Sequence, residues 1–229
     1  PNHMYWLESM RRTHINERGW ADIGQNITIF PDGKIAVCRS LDKTPAGIYG
    51  ANTGGICIEN LGNFDTGKDA MTQAQNDSII LTNALLCNKF SLSPNTTEVV
   101  YHHWYDRAGK RFTSEQINSG FVLRNELQKT CPGTAFFGGN TVTAAEAGFY
   151  PLIRTQIAVL QGAAPPAVNT IHKKVNTDVL NVRGGKGVQH AVLRKLSRNA
   201  IVEIFAEQDG WSRISSDKEE WVSSQFLSA

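Results

Sequence analysis

The stretch "ITIFPDGKIAVC", residues 27–38, decides how this chain folds. Two apolar, β-branched runs flank Pro31-Asp32-Gly33. Proline presets its own φ, aspartate bonds back to the nearby backbone, and glycine takes a positive φ without steric cost, so the stretch predicts a hairpin. Working outward, "YWLESMRRTHIN" (5–16) places Trp6, Leu7 and Met10 at helical spacing. "GGICIENLG" (54–62) reads as a short strand bounded by glycines. "TQAQNDSIILTNALLCNKF" (72–90) opens with Thr72 and Gln75 at capping-box spacing and continues as a helix. "EVVYHHWY" (98–105) reads as a further strand, and "TAAEAGFYPLIRTQIAVL" (143–160) as a closing helix interrupted near Pro151. Strands interleaved with helices predict an α/β fold, a mixed sheet flanked by helices.

A different pattern follows. "QGAAPPAVNT" (161–170) is small, proline-rich and uncharged, and predicts a semi-stiff linker between residues 1–160 and 171–229. Beyond it, "VLNVRGG", "AVLRKL", "AIVEIFAEQDGWSRI" and "EEWVSSQFL" are short alternating segments separated by turn residues, as in a small all-β barrel. Leu180 and Val182 are expected in its core. Trp211 and Trp221 fit either core or groove, and Arg194–Arg198 reads as a solvated face. Residues 1–165 are charge-neutral, so the whole excess of +2 lies in 166–229.

That small charge makes no demand for a nucleic-acid partner. No apolar run approaches the ~20 residues that span a bilayer. The first thirty residues lack the charged start and apolar segment of a secretory signal, and "PNH" at 1–3 reads as a cloning remnant. The four cysteines form no CxxC pair. Cys87 shares a helix face with Ile80 and Phe90 and reads as a core thiol, and Cys38 and Cys57 sit in strand-like segments with the same reading. Cys131 stands apart, between Lys129 and the Pro132-Gly133 turn.

Three positions carry potential chemistry. On a strand His102 and His103 point to opposite faces, so one of them can serve a site with Cys131. Imidazole and thiolate both suit zinc, although ordinary packing and turn roles remain open for the pair. Glu59 shares a strand face with Cys57. A carboxylate in that apolar run either reaches solvent at the strand end or lines a cleft as a general base.

Taken in order, "HINERGWADIGQNITIFPDGKIAVCRS", "GANTGGICIENLGNFD" and "HHWYD…KTCPG" resemble the zinc-dependent N-acetylmuramoyl-L-alanine amidases, a family that includes phage lysozyme-type amidases and animal peptidoglycan recognition proteins. The resemblance implies that His102 and Cys131 are ligands of Zn²⁺, that Lys129 stabilises the oxyanion, and that Glu59 is the base. Some members use a tyrosine where this chain has Gln25, which cannot take a proton. The family's first zinc histidine has no counterpart here. His14 matches a histidine of a different, supporting kind, so the third ligand is expected upstream of residue 1. The interval 106–128 reads as an inserted loop bordering the substrate groove.

"DVLNVRGGKG", "DGWSRI" and "EWVSSQFL" resemble bacterial SH3-type domains that attach hydrolases to the cell wall. Together the resemblances imply a peptidoglycan hydrolase acting at the bacterial wall, secreted or released at lysis, and cutting between N-acetylmuramic acid and L-alanine. A non-catalytic wall binder with an amidase-like groove is the alternative. A thiol hydrolase built on Cys131 and His102 is disfavoured, because a nucleophilic cysteine prefers a helix N-terminus to a turn.

Overall fold

The computed structural model describes residues 2–120, 129–163, 171–215 and 218–228. The chain divides into two compact units, residues 1–165 and 166–229. Of the expected linker, residues 164–170 lie outside the described residues, as do 121–128 of the expected inserted loop.

The first unit mixes helices with a small mixed sheet. Helix α1 (His3–Arg12) runs into a wider π turn, Thr13–Glu17. Strands β1 (Ile27–Ile29) and β2 (Ile35–Val37) form the hairpin, antiparallel with Ile29 opposite Ile35. Its turn closes as the sequence demands: Gly33 takes φ +80°, and its N–H donates to Phe30 O at 2.9 Å. Strand β3 (Ile58–Asn60) lies parallel to β1 on the other side, giving the order β2-β1-β3. The central strand is buried throughout.

Helix α2 (Gln73–Phe90) packs on this sheet. Thr72 caps it by accepting from Gln75 N–H at 3.0 Å. The reciprocal half of the capping box does not form. The Gln75 amide turns inward and donates to Ile29 O and Leu61 O, at 3.3 and 3.0 Å, satisfying carbonyls at the ends of β1 and β3. Cys87 is buried as expected, whereas Cys38 and Cys57 are only half-buried. Helix α3 (Ser114–Asn118), begun by a full capping box at Thr113, lies inside the interval read as a loop. The closing segment is α4 (Val142–Ala144), a π turn (Ala145–Phe149) and α5 (Tyr150–Leu160), whose first turn holds Pro151 where its missing N–H costs nothing.

The expected strand at 98–105 is not there. Residues His102–Trp104 form a 3₁₀ turn instead. Their polar backbone groups bond locally or to distant partners: Trp104 N–H to Tyr101 O at 3.0 Å, His103 N–H to Cys131 O at 2.9 Å, and Val99 O to the Tyr150 hydroxyl at 2.6 Å. Of the expected pairing, an isolated bridge between Tyr105 and Arg111 is what forms.

The second unit is all-β. One sheet has the order β6-β5-β10-β9-β8, the other β11-β4-β7. Strands β4 (Ile171–Val175), β5 (Val179–Arg183), β7 (Ile201–Ile204) and β10 (Trp221–Ser223) each give a side chain to one shared core, so both sheets close on it. The remaining strands are β6 (Val192–Ser197), β8 (Ala206–Gln208), β9 (Trp211–Arg213) and β11 (Leu227–Ser228). Leu180 and Val182 are 4% and 0% exposed, as the alternation predicts. The two tryptophans part company: Trp221 is buried, while Trp211 lines an open groove of about 490 Å³ with Val179 and Phe226. Arg194 on β6 and Arg198 just after it are paired to Glu220 and Asp178 at the surface. Among the described residues, no helix is long and apolar enough to cross a membrane.

Candidate functional site

Three elements place the candidate residues. Strand β3 carries Glu59 opposite Thr28 of β1, so its position is set by the sheet. The 3₁₀ turn carries His102. The turn 129–134 carries Lys129 and Cys131, and the bond from His103 N–H to Cys131 O at 2.9 Å ties it to the 3₁₀ turn.

The charges report that these groups are near one another. The Lys129 ammonium acts on Glu59, His102, Cys131 and His14 alike. Glu59 acts on both Cys131 and Cys57. Burial raises the Glu59 pKa above the usual carboxylate value, and Lys129 pulls it part of the way back. Yet Glu59 and Cys131 both keep open surface.

Burial, with Lys129 and His103, lowers the His102 pKa, so its imidazole is neutral at pH 7, the form that offers a lone pair to a metal. The Cys131 thiol is raised by burial and by Glu59, and lowered by Lys129. Cys57, two residues before Glu59, is pushed up to about 12 by burial and by the charges of Glu59 and Cys131, so it stays an un-ionised thiol.

Two other histidines are accounted for. His14 stacks on Trp20 at 4.7 Å, and its Nδ1 accepts from Gly24 N–H at 3.0 Å. That bond puts the proton of the neutral ring on Nε2, leaving no lone pair there for a metal. The Nε2 atom of His3 lies 2.9 and 3.0 Å from the two carboxylate oxygens of Asp32. Gln25 is buried, with its amide donating to Thr28 Oγ1 at 2.8 Å and to Met10 Sδ. It braces α1 against the sheet. Among the described residues, no group of three or more His, Cys, Asp or Glu stands ready to hold a metal.

Sequence reasoning missed the residues that hold the 129–134 turn. The carbonyls of 129–131 are each taken: Lys129 O by His103 Nδ1 at 3.0 Å, Thr130 O by Asn140 Nδ2 at 2.9 Å, and Cys131 O by His103 N–H at 2.9 Å. From the other side, Asp65 accepts from the Thr130 hydroxyl at 2.9 Å and from Thr134 N–H at 3.0 Å, bonds that hold its pKa below the usual value. The only sequence signal was the placement of Asp65 after Gly62-Asn63-Phe64.

Residues 3–134 match the family described as N-acetylmuramoyl-L-alanine amidase, and residues 178–228 match the bacterial SH3 domain. The chain is 29% identical over 131 residues to peptidoglycan-recognition protein SC2 of Drosophila melanogaster, an alignment covering 56% of each. The chain therefore spans little more than half the length of the curated relatives it matches. Among solved structures, the N-acetylmuramoyl-L-alanine amidase LysC from Clostridium intestinale URNW is 28% identical with a TM-score of 0.36, covering 38% of this chain and 56% of that one. Drosophila PGRP-LB is 26% identical with a TM-score of 0.37, covering 41% and 54%.

Proposed function

Since the chain belongs to the N-acetylmuramoyl-L-alanine amidase family and carries a bacterial SH3 domain, we propose that it acts on peptidoglycan at the bacterial cell wall, cutting the amide between N-acetylmuramic acid and L-alanine. One observation supports this reading above the others: the turn that carries Lys129 and Cys131 is hydrogen-bonded both to the 3₁₀ turn that carries His102 and to Asp65, in the loop that follows the Glu59 strand.

The donors present suit zinc in kind, a neutral imidazole and a thiol able to ionise, and they number two. His102 and Cys131 would hold the ion, which when bound supplies Lewis acidity and a water of pKa near ~7. The chain's own groups do the rest. Glu59 takes a proton from the attacking water and delivers it to the departing amine of alanine; its raised pKa suits a group that must both accept and release a proton near neutrality. Lys129 neutralises the oxyanion as it forms. The SH3 domain holds the chain on the wall.

A second reading, wall binding without hydrolysis, is favoured by the absence of a three-donor group among the described residues. One experiment separates the two. Purified walls are incubated with the chain with added zinc or with chelator, and newly freed alanine amino groups are scored. Zinc-dependent release is expected. Tight binding to walls with no release under either condition would replace the hydrolase by the binder.

A further inference from the structure

His102 and Cys131 lie on separate segments, and the chain between them includes α3 and residues outside the described set. Something other than sequence proximity must set the turn 129–134 against the 3₁₀ turn. The hydrogen bonds identify what does. His103 is 1% exposed and reaches the turn twice, through its backbone N–H to Cys131 O at 2.9 Å and through Nδ1 to Lys129 O at 3.0 Å. A carbonyl only accepts, so Nδ1 carries the proton and donates. Asp65 grips the opposite side through the Thr130 hydroxyl and Thr134 N–H, while Thr66 N–H donates to Thr134 Oγ1 at 2.9 Å and Ala135 N–H to Phe64 O at 2.9 Å. The turn is thus gripped by one residue adjoining His102 and by the loop that follows the Glu59 strand. The same two grips link all three site-bearing segments.

We propose that His103 and Asp65 are positioning residues: they fix the backbone at 129–131 so that the Lys129 ammonium and the Cys131 thiol stand beside Glu59 and His102. The catalytic consequence rests on the amidase reading; the geometric content does not.

The full chain is compared with His103→Leu, which keeps bulk and loses the donor, His103→Asn, whose amide N–H stands near the place of Nδ1–H, and Asp65→Asn, a change at a partly exposed side chain. The first readout needs no metal: the rate at which iodoacetamide alkylates Cys131, followed by peptide mass spectrometry, with buried Cys87 as the internal marker of unfolding. The second is a cobalt(II) titration read by the thiolate-to-cobalt absorption band. In His103→Leu, Cys131 is expected to react several-fold faster with Cys87 still protected, and cobalt affinity to fall by roughly 10–100-fold, the usual cost of losing a group that orients a ligand. His103→Asn is expected to restore both towards wild type, and Asp65→Asn to fall between. On walls, kcat drops while KM holds.

The proposal is overturned if His103→Leu, with Cys87 protected, matches wild type in both readouts, or if His103→Asn fails as badly as His103→Leu, since bulk rather than the bond would then matter. Should His103→Leu expose Cys87, Asp65→Asn decides: wild-type alkylation and cobalt binding there overturn the proposal, and a rise in one with a fall in the other upholds it. A wild-type chain that neither takes up cobalt nor frees alanine defeats the amidase reading, while the alkylation rates still settle the grip.

Discussion

Replacing Gly133 by alanine tests whether the 129–134 turn must sit where it does. Gly133 has φ +128°, and a Cβ there would lie 2.5 Å from both the carbonyl carbon and oxygen of Phe64, closer than such contacts occur. The obstruction is backbone, not a side chain that could swing away, so the turn itself must retreat by a sizeable fraction of an ångström. Retreat stretches the Ala135 N–H bond to Phe64 O, now 2.9 Å. The backbone strain costs about 1–3 kcal/mol and the lost bond about 1 kcal/mol. Together they lower the stability of the first unit by roughly 2–4 kcal/mol, or roughly 5–15 °C in its melting temperature for a unit of this size. The functional loss should be larger than the stability loss implies, because a shift approaching 1 Å at a reacting group can cost on the order of 10²-fold in rate. The control is Gly19→Ala, where φ is +68° and a Cβ would meet nothing within 4 Å. It carries the conformational strain without the overlap. Thermal melts and alanine release from walls are measured for both. If Gly133→Ala melts like Gly19→Ala and turns over like wild type, the close approach of this turn to Phe64 does not govern the site.

Gln75→Leu takes the side-chain donor from Leu61 O and leaves Ile29 O with only the Leu61 N–H, and should cost about 1–3 kcal/mol in a urea titration; a loss below about 0.5 kcal/mol would mean that water or rearrangement replaces the amide. Lys129→Met removes the cation that opposes the burial-raised pKa of Glu59, so the carboxylate loses its stabiliser and the folded pKa rises further. The carboxyl ¹³C shift of Glu59, followed against pH, should titrate at higher pH than in wild type, and the acid limb of residual activity should move the same way; a move to lower pH would place Lys129 elsewhere. Leu180→Ala opens a cavity in the core of the SH3 unit and should cost about 2–5 kcal/mol, enough to unfold a unit this small. Wall binding should then drop sharply while hydrolysis of soluble muropeptide persists, and an unchanged wall affinity would show that the SH3 unit is not the anchor.

The parts of the fold that were legible are those encoded locally. The hairpin needed only Pro31-Asp32-Gly33 between two apolar runs, and α2 only Thr72 and a helical period. What failed depended on partners far along the chain. "EVVYHHWY" has every mark of a strand, but its backbone groups are claimed by Tyr150 and Cys131, residues no local pattern connects to it. Gln75 sits at the right spacing to close a capping box, yet the two carbonyls at the sheet ends compete for its amide and win. Strand β4 went unseen because "IHKKV" is mostly exposed and does not alternate. At the site, the residue pattern picked out a histidine pair, a cysteine and a carboxylate but left each with an ordinary explanation, and their roles, with that of Lys129, came from the resemblance. Spacing alone could not choose between His102 and His103; the resemblance pointed to His102, and what it did not reveal is that the His103 ring is spent on the Lys129 carbonyl.

That division of labour between adjacent histidines carries a consequence for the excursion after them. A segment joining two halves of a site would ordinarily transmit its own fluctuations to both ends. Here its base is stitched. Phe112 N–H donates to Trp104 O at 2.9 Å, the Trp104 indole donates to Asn140 O at 2.8 Å, and His103 and Asn140 take the carbonyls of 129–131. The site residues at each end are therefore held by the folded body and not by the path between them. Lengthening a loop already anchored at its ends adds only slowly to closure entropy, about 0.6 kcal/mol per doubling. The described part of the excursion joins the same body, since Ile117 of α3 is fully buried in the core cluster that also holds Trp104.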